Sequence, residues 1–154
     1  IILLLLYLFI NTNMSYKGKY TPKNPRKYKG NYNNVTYRSL WERKFMVYCD
    51  TTPQILQWSS EEVVIPYISP KDNRQHRYFP DFLVTIQNKK GITTYLCEVK
   101  PLRQCKPPTN RKSKYFLTEQ RTYAINQAKW MAAKEHCEKM GWTWKIITEK
   151  ELKV

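Results

Sequence analysis

Two stretches of the chain, Tyr78-Phe79-Pro80-Asp81-Phe82 and Leu96-Cys97-Glu98-Val99-Lys100-Pro101, decide how the rest is read. Between them stands Asn88-Lys89-Lys90-Gly91, a hairpin signal. The first stretch therefore falls in a strand predicted over 77–87, and the second in its partner over 92–100. Side chains on a strand alternate between faces, which puts Glu98 and Lys100 on one face and Cys97 and Val99 on the other. A carboxylate and an ammonium then share a pocket, to which Asp81 adds a second carboxylate if the hairpin register brings it opposite. Two carboxylates beside an open side suit Mg²⁺, a hard cation that keeps waters for substrate; Mn²⁺ is the alternative ion for the same donors. Glu98-Val99-Lys100 alone is also what the charged outer face of an ordinary edge strand looks like, so the pairing with Asp81 carries the reading.

Outward from this hairpin, the apolar stripe Trp41, Phe45, Tyr48 and Cys49 predicts a helix over 37–50. Short apolar runs predict strands over 55–58 and 63–67, and Pro70-Lys71-Asp72-Asn73 a turn. A basic, proline-containing loop covers 101–113. A long helix follows over 114–140, closed by Gly141 at the position a C-cap glycine prefers. In it Ala124, Ala128 and Ala132 recur every fourth residue, so a smooth face is expected against a sheet. A last strand over 142–147 and a final helical turn over 148–152 complete the chain, whose core is expected to have the order αβββαβ. The expected fold is an α/β sandwich with a mixed sheet flanked by helices.

The chain has 27 Lys and Arg against 12 Asp and Glu, a net charge of +15, with 14% aromatic residues. Such a balance favours a polyanionic partner, nucleic acid before an anionic membrane, for which no lipidation motif is present. Residues 14–35 hold no acid and interleave lysines with tyrosines among Gly and Pro, which reads as a basic arm laying charge on phosphates and rings on bases or sugars, or as a solvated tail. The candidate DNA contacts are Lys17, Lys19, Lys23, Arg26, Lys27 and Lys29 in the arm, His76 and Arg77 before the Asp81 strand, and Arg103, Arg111, Lys112 and Lys114 after Lys100. Four scattered cysteines point to reduced thiols in a protein that is not secreted; a zinc set of Cys97, Cys105, His76 and His136 matches no zinc spacing. The apolar run over 1–10 is too short to span a bilayer and lacks signal-peptide flanks, so 1–13 is read as an upstream segment before a start at Met14. The domain itself is expected over 36–154.

Pro80-Asp81 followed across a hairpin by Glu98-x-Lys100, inside this order of elements, resembles the PD-(D/E)XK nuclease superfamily with its restriction-endonuclease-like core. That resemblance covers about 37–147. It implies that Asp81 and Glu98 hold a metal, that the Val99 carbonyl completes its shell, and that Lys100 orients or activates the attacking water. Glu42 is open to two readings: Ser39-x-x-Glu42 is a capping box, and relatives such as TnsA-like transposon endonucleases place a metal-site glutamate on this helix. Gln120, expected on the sheet-facing side of the long helix, occupies a position where relatives carry a polar residue that supports the site. More narrowly, Met14-Ser15-Tyr16-Lys17-Gly18-Lys19-Tyr20, Tyr37-Arg38-Ser39-Leu40-Trp41-Glu42-Arg43 and Trp58-Ser59-Ser60-Glu61-Glu62 are similar to the head completion nucleases of tailed phages. This implies a Mg²⁺-dependent nuclease of double-stranded DNA, working late in virion assembly beside head and neck proteins, in the host cytoplasm or virion. The rival readings are a structural DNA-binding virion protein without activity and a TnsA-like transposon endonuclease.

Overall fold

A computed structural model describes residues 16–153; the reading of 1–13 lies outside them. In chain order, β1 (Gly18–Tyr20) pairs with β2 (Val35–Tyr37), followed by α1 (Leu40–Thr51), β3 (Ile55–Ser60), and the hairpin of β4 (Ile65–Ser69) and β5 (Arg74–Tyr78). Then come β6 (Phe82–Asn88), β7 (Gly91–Val99), α2 (Phe116–Met140), β8 (Thr143–Ile147) and the short α3 (Glu149–Leu152). The central sheet has the order β3-β6-β7-β8, antiparallel except for the parallel pair β7 and β8. A parallel pair needs a long crossover, and α2 supplies it.

Alternation along the strands divides the core between the two faces of this sheet. Phe82, Val84, Cys97 and Val99 pack with Phe45, Met46 and Cys49 of α1, whereas Leu83 and Leu96 pack with Trp130, Ala133 and Cys137 of α2 and with Ile65 and Tyr67 of the β4–β5 hairpin. The mixed α/β sandwich expected from the sequence is therefore the fold that forms.

Three elements differ from expectation, each for a physical reason. The single strand predicted over 77–87 is two strands, interrupted at Phe79-Pro80-Asp81. Pro80 is fully buried and has no N–H for a ladder, so β5 turns to β4 while β6 joins the main sheet. Helix α1 starts at Leu40 and not at 37, because extended Ser39 caps it and 35–37 are taken by β2. In α2 the buried stripe is Asn126, Trp130, Ala133 and Cys137, and Ala124 is exposed. A strict four-residue repeat drifts by about 40° per step on a helix of 3.6 residues per turn, so Ala128 and Ala132 pack at the edge of this stripe while Ala124 leaves it.

The stretch read as a basic arm is built into this fold. Tyr20 and Tyr28 are buried with ring centroids 6.0 Å and 4.8 Å from that of Trp58, so neither is free to stack on a base. Asp50, at 0% exposure, holds the segment: its carboxylate accepts from the Tyr20 hydroxyl (2.9 Å) and from the backbone N–H groups of Lys23 (2.7 Å) and Asn24 (3.0 Å). The Asp50 carbonyl in turn accepts from the Asn24 amide and the Lys27 ammonium. A buried carboxylate is tolerated only when satisfied in this way.

Candidate active site

The register of β6 on β7 sets Phe82 opposite Cys97, so the residue before β6, Asp81, faces Glu98. There Asp81 Oδ2 accepts from the Val99 N–H at 2.7 Å, and the Asp81 carbonyl accepts from the Glu61 N–H at 3.1 Å. Glu61 is itself held by Arg38, Nε to Oε1 2.8 Å, so the start of β6 is clamped from two sides. Glu98 is 6% exposed; its Oε1 lies 3.1 Å from Lys100 Nζ and its Oε2 accepts from the Tyr78 hydroxyl at 2.7 Å. The N–H of Lys100 donates to the Ile147 carbonyl at 2.9 Å, so β8 fixes the residue that follows β7.

Burial, then the nearby charges of Glu98 and Glu42, push the Asp81 carboxyl well above the ordinary carboxylate range against the pull of the Val99 N–H and Lys100. Burial alone would lower the Lys100 ammonium. Glu98 and Asp81 outweigh it and raise the group, so Lys100 carries its charge at neutral pH. The pocket thus holds more negative charge than one ammonium balances, in a protein that is otherwise strongly basic. A divalent cation would relieve that imbalance, and carboxylates are the donor type that such a hard cation takes. Among the described residues no group of three or more His, Cys, Asp or Glu stands at metal-binding spacing, so the zinc set considered from sequence is not assembled.

Glu42 caps α1: its Oε2 accepts from the Arg38 N–H at 2.8 Å, and Ser39 Oγ, 3.0 Å from Oε1, accepts from the Glu42 N–H at 3.1 Å. Burial pushes its carboxyl up, partly offset by those hydrogen bonds, and its charge is felt by both Asp81 and Lys100. Capping and service to the pocket are therefore not exclusive. Glu42→Gln is expected to keep acceptance from the Arg38 N–H and to cost little stability while cleavage falls; Glu42→Ala keeps the Ser39 cap on the Glu42 N–H but loses the side-chain bonds to Arg38 and Ser39, about 0.5–1.5 kcal/mol each. Melting temperature and cleavage rate measured on the same preparations check both.

Other residues expected at the site are placed differently. Gln120 is exposed, for the same reason that the alanine stripe drifts. His76 is engaged across its own hairpin, Nε2 3.0 Å from Asp72, and Arg77 lies over the Phe79 ring at 5.7 Å. Lys27 donates to the carbonyls of Asp50 and Thr52 and so is partly committed to the fold. Lys17, Lys19, Lys23, Arg26, Lys29, Arg103, Arg111, Lys112 and Lys114 are exposed. Tyr78, the hydroxyl partner of Glu98, was not anticipated. Its contact depends on the turn-away of β5 at Pro80, which a single strand predicted over 77–87 conceals.

With this geometry in hand, comparison with known proteins is decisive: the family model described as "TnsA-like endonuclease N terminal" matches residues 52–149, a span that includes Asp81, Glu98 and Lys100. The chain belongs to the TnsA-like endonuclease family. It is also 37% identical over 146 residues to the head completion nuclease of Enterobacteria phage T4, covering 91% of this chain and 95% of that protein. No solved structure gives a significant match. As a TnsA-like endonuclease of PD-(D/E)XK type it is a nuclease, in a group whose members typically use divalent metals. No helix among the described residues is long and apolar enough to cross a membrane.

Proposed function

We propose that this nuclease is a Mg²⁺-dependent deoxyribonuclease of phage head completion, with Asp81 and Glu98 holding the ion and Lys100 placing the attacking water. The observation that carries the reading is the convergence of the two buried carboxylates on one ammonium across the β6–β7 register. A divalent ion held there would lower the pKa of bound water and neutralise charge at the phosphate under attack. The chain supplies the rest. Tyr78 fixes one oxygen of Glu98, leaving the other directed to Lys100; the Val99 N–H fixes one oxygen of Asp81, leaving its second for the ion. Lys100, kept charged by its neighbours, serves as a hydrogen-bond donor that orients water and not as its base. Glu42 adds charge from α1 and meets the ion only by releasing Arg38. The strong relationship to a head completion nuclease supports a role late in virion assembly, with head and neck proteins as partners and the infected host cytoplasm or the virion as location.

Incubation of linear and circular DNA with the metal-stripped protein, with and without added Mg²⁺, tests the reading: cleavage is expected only with the ion, and equal cleavage in a chelator would overturn it. The exposed basic residues support a second expectation. If six or more of them reach phosphates, affinity should drop by ~10³ or more between 50 and 200 mM salt, with little sequence preference. Fluorescence anisotropy on one duplex across that range gives the slope, and a flat line would remove them as DNA contacts.

A further inference from the structure

A pocket of about 420 Å³ opens just beyond the catalytic lysine, between the chain that follows Pro101 and the first half of α2. Its walls come from two sources of different chemistry. Arg103 and Lys106 on the loop supply positive charge that outnumbers the one carboxylate, Glu119, while Tyr123 and Asn126, three apart and so on one side of α2, supply a ring and an amide. Asn126 is the unusual member. It is only 8% exposed, yet its side-chain amide makes no hydrogen bond to any described residue, although it lines this pocket. The amide is not sealed off from solvent; it lines the pocket, where a ligand in place of water can take its hydrogen bonds. One turn further along α2, Lys129 lies 5.5 Å from the centre of the Tyr78 ring, and Tyr78 donates to Glu98, so the same helix carries a wall of the pocket and a cation beside the partner of Glu98.

Building on the nuclease reading above, we infer that this pocket receives one unpaired nucleotide next to the phosphodiester being cut, its base against Tyr123 and Asn126 and its phosphate against Arg103 and Lys106. The volume is in the range of ~300–1,000 Å³ that small-molecule sites occupy, and it is concave, so a base held within a duplex stack does not reach it. Extruding a paired base costs a few kcal/mol, whereas an unpaired one enters without that cost. The substrate class that follows is DNA with an unpaired nucleotide at an end, gap or branch, in preference to continuous duplex. Phosphate binding alone would require only the lysine and arginine; the ring and the unpartnered amide are what a base adds.

The experiment compares cleavage, in Mg²⁺, of a blunt duplex closed by hairpin loops of a non-nucleotide linker with that of the same duplex carrying a five-nucleotide single-stranded flap. The parent protein is expected to prefer the flap substrate by about tenfold or more, the scale of a single base–aromatic contact. Asn126→Ala and Tyr123→Leu should each bring that preference most of the way to unity, and Tyr123→Phe should retain it. Binding of a fluorescein-labelled oligothymidine in Ca²⁺ should weaken in the same order. Circular dichroism melting of each variant identifies any that fails to fold, in which case Asn126→Asp, which keeps the shape of the amide but repels phosphate, replaces Asn126→Ala. A parent that cuts both substrates equally, or variants that keep the parental preference, would overturn this inference alone. A parent that cuts neither would overturn the nuclease reading and this one with it.

Discussion

Lys100→Ala is expected to lower the cleavage rate by about 10²-fold or more while leaving the affinity for DNA, measured in Ca²⁺, close to that of the parent. The ammonium lies 3.1 Å from Glu98 on the same face of the chain, and Glu98 keeps its hydrogen bond from Tyr78 when the ammonium is gone. Both carboxylates therefore stay in place, and what is lost is the donor that aligns the water. Single-turnover rates at saturating Mg²⁺ separate this from weaker binding. Parental rates in the variant would mean that DNA is cut at some other place than this pocket.

Asp81→Asn is expected to act in opposite directions on activity and stability. Cleavage should fall by about 10³-fold or more, because one of two anionic ligands is lost. The metal-free variant should nevertheless melt a few degrees above the metal-free parent. The sign follows from burial and from Glu98 and Glu42, which raise the Asp81 carboxyl above its ordinary value of 3.8 in the folded state. A carboxyl raised on folding favours the native state while protonated, and that contribution is lost as pH climbs from the unfolded value through the higher folded one. At neutral pH the charge is thus a burden on the metal-free fold. The neutral amide removes it, and its oxygen can still accept from the Val99 N–H. Thermal melts of both proteins in a chelator at pH 7 and near pH 5 check this: the gap between them should narrow at the lower pH, and addition of Mg²⁺ should stabilise the parent only. A variant that melts below the parent in the chelator would contradict the repulsion described.

Much of this site is legible in the sequence because it rests on short-range rules. Alternation along β7 is enough to put Glu98 and Lys100 together, and Asn88 to Gly91 is enough to fold β6 onto β7, so Asp81 arrives by counting back along the ladder. What the sequence conceals depends on long-range partners. Residues 77–87 carry no turn signal strong enough to divide them, and the pairing of β5 with β4 separates Tyr78 from the strand that carries Phe82. Among the lysines of 14–35 the four tyrosines look alike, but Tyr16 and Tyr32 are exposed whereas Tyr20 and Tyr28 are buried, and that burial depends on Trp58 and Asp50, both of which lie beyond the segment. Gln120 fails for a subtler reason: over a helix of 25 residues, small errors in phase accumulate, and the buried stripe of α2 is set by Trp130 and Cys137 and not by the alanines.

The hub at Asp50 also determines what can be removed from this protein. A chain shortened to begin at 36 would still contain Glu42, Asp81, Glu98 and Lys100, and by motif it would count as complete. It would leave Thr36 and Tyr37 without their partners Lys19 and Gly18, uncover one side of Trp58, and strand a fully buried carboxylate whose hydroxyl and amide donors had all been cut away. The smallest unit expected to fold around these side chains is therefore larger than the smallest unit that contains them, and the difference is some twenty residues that carry none of the four.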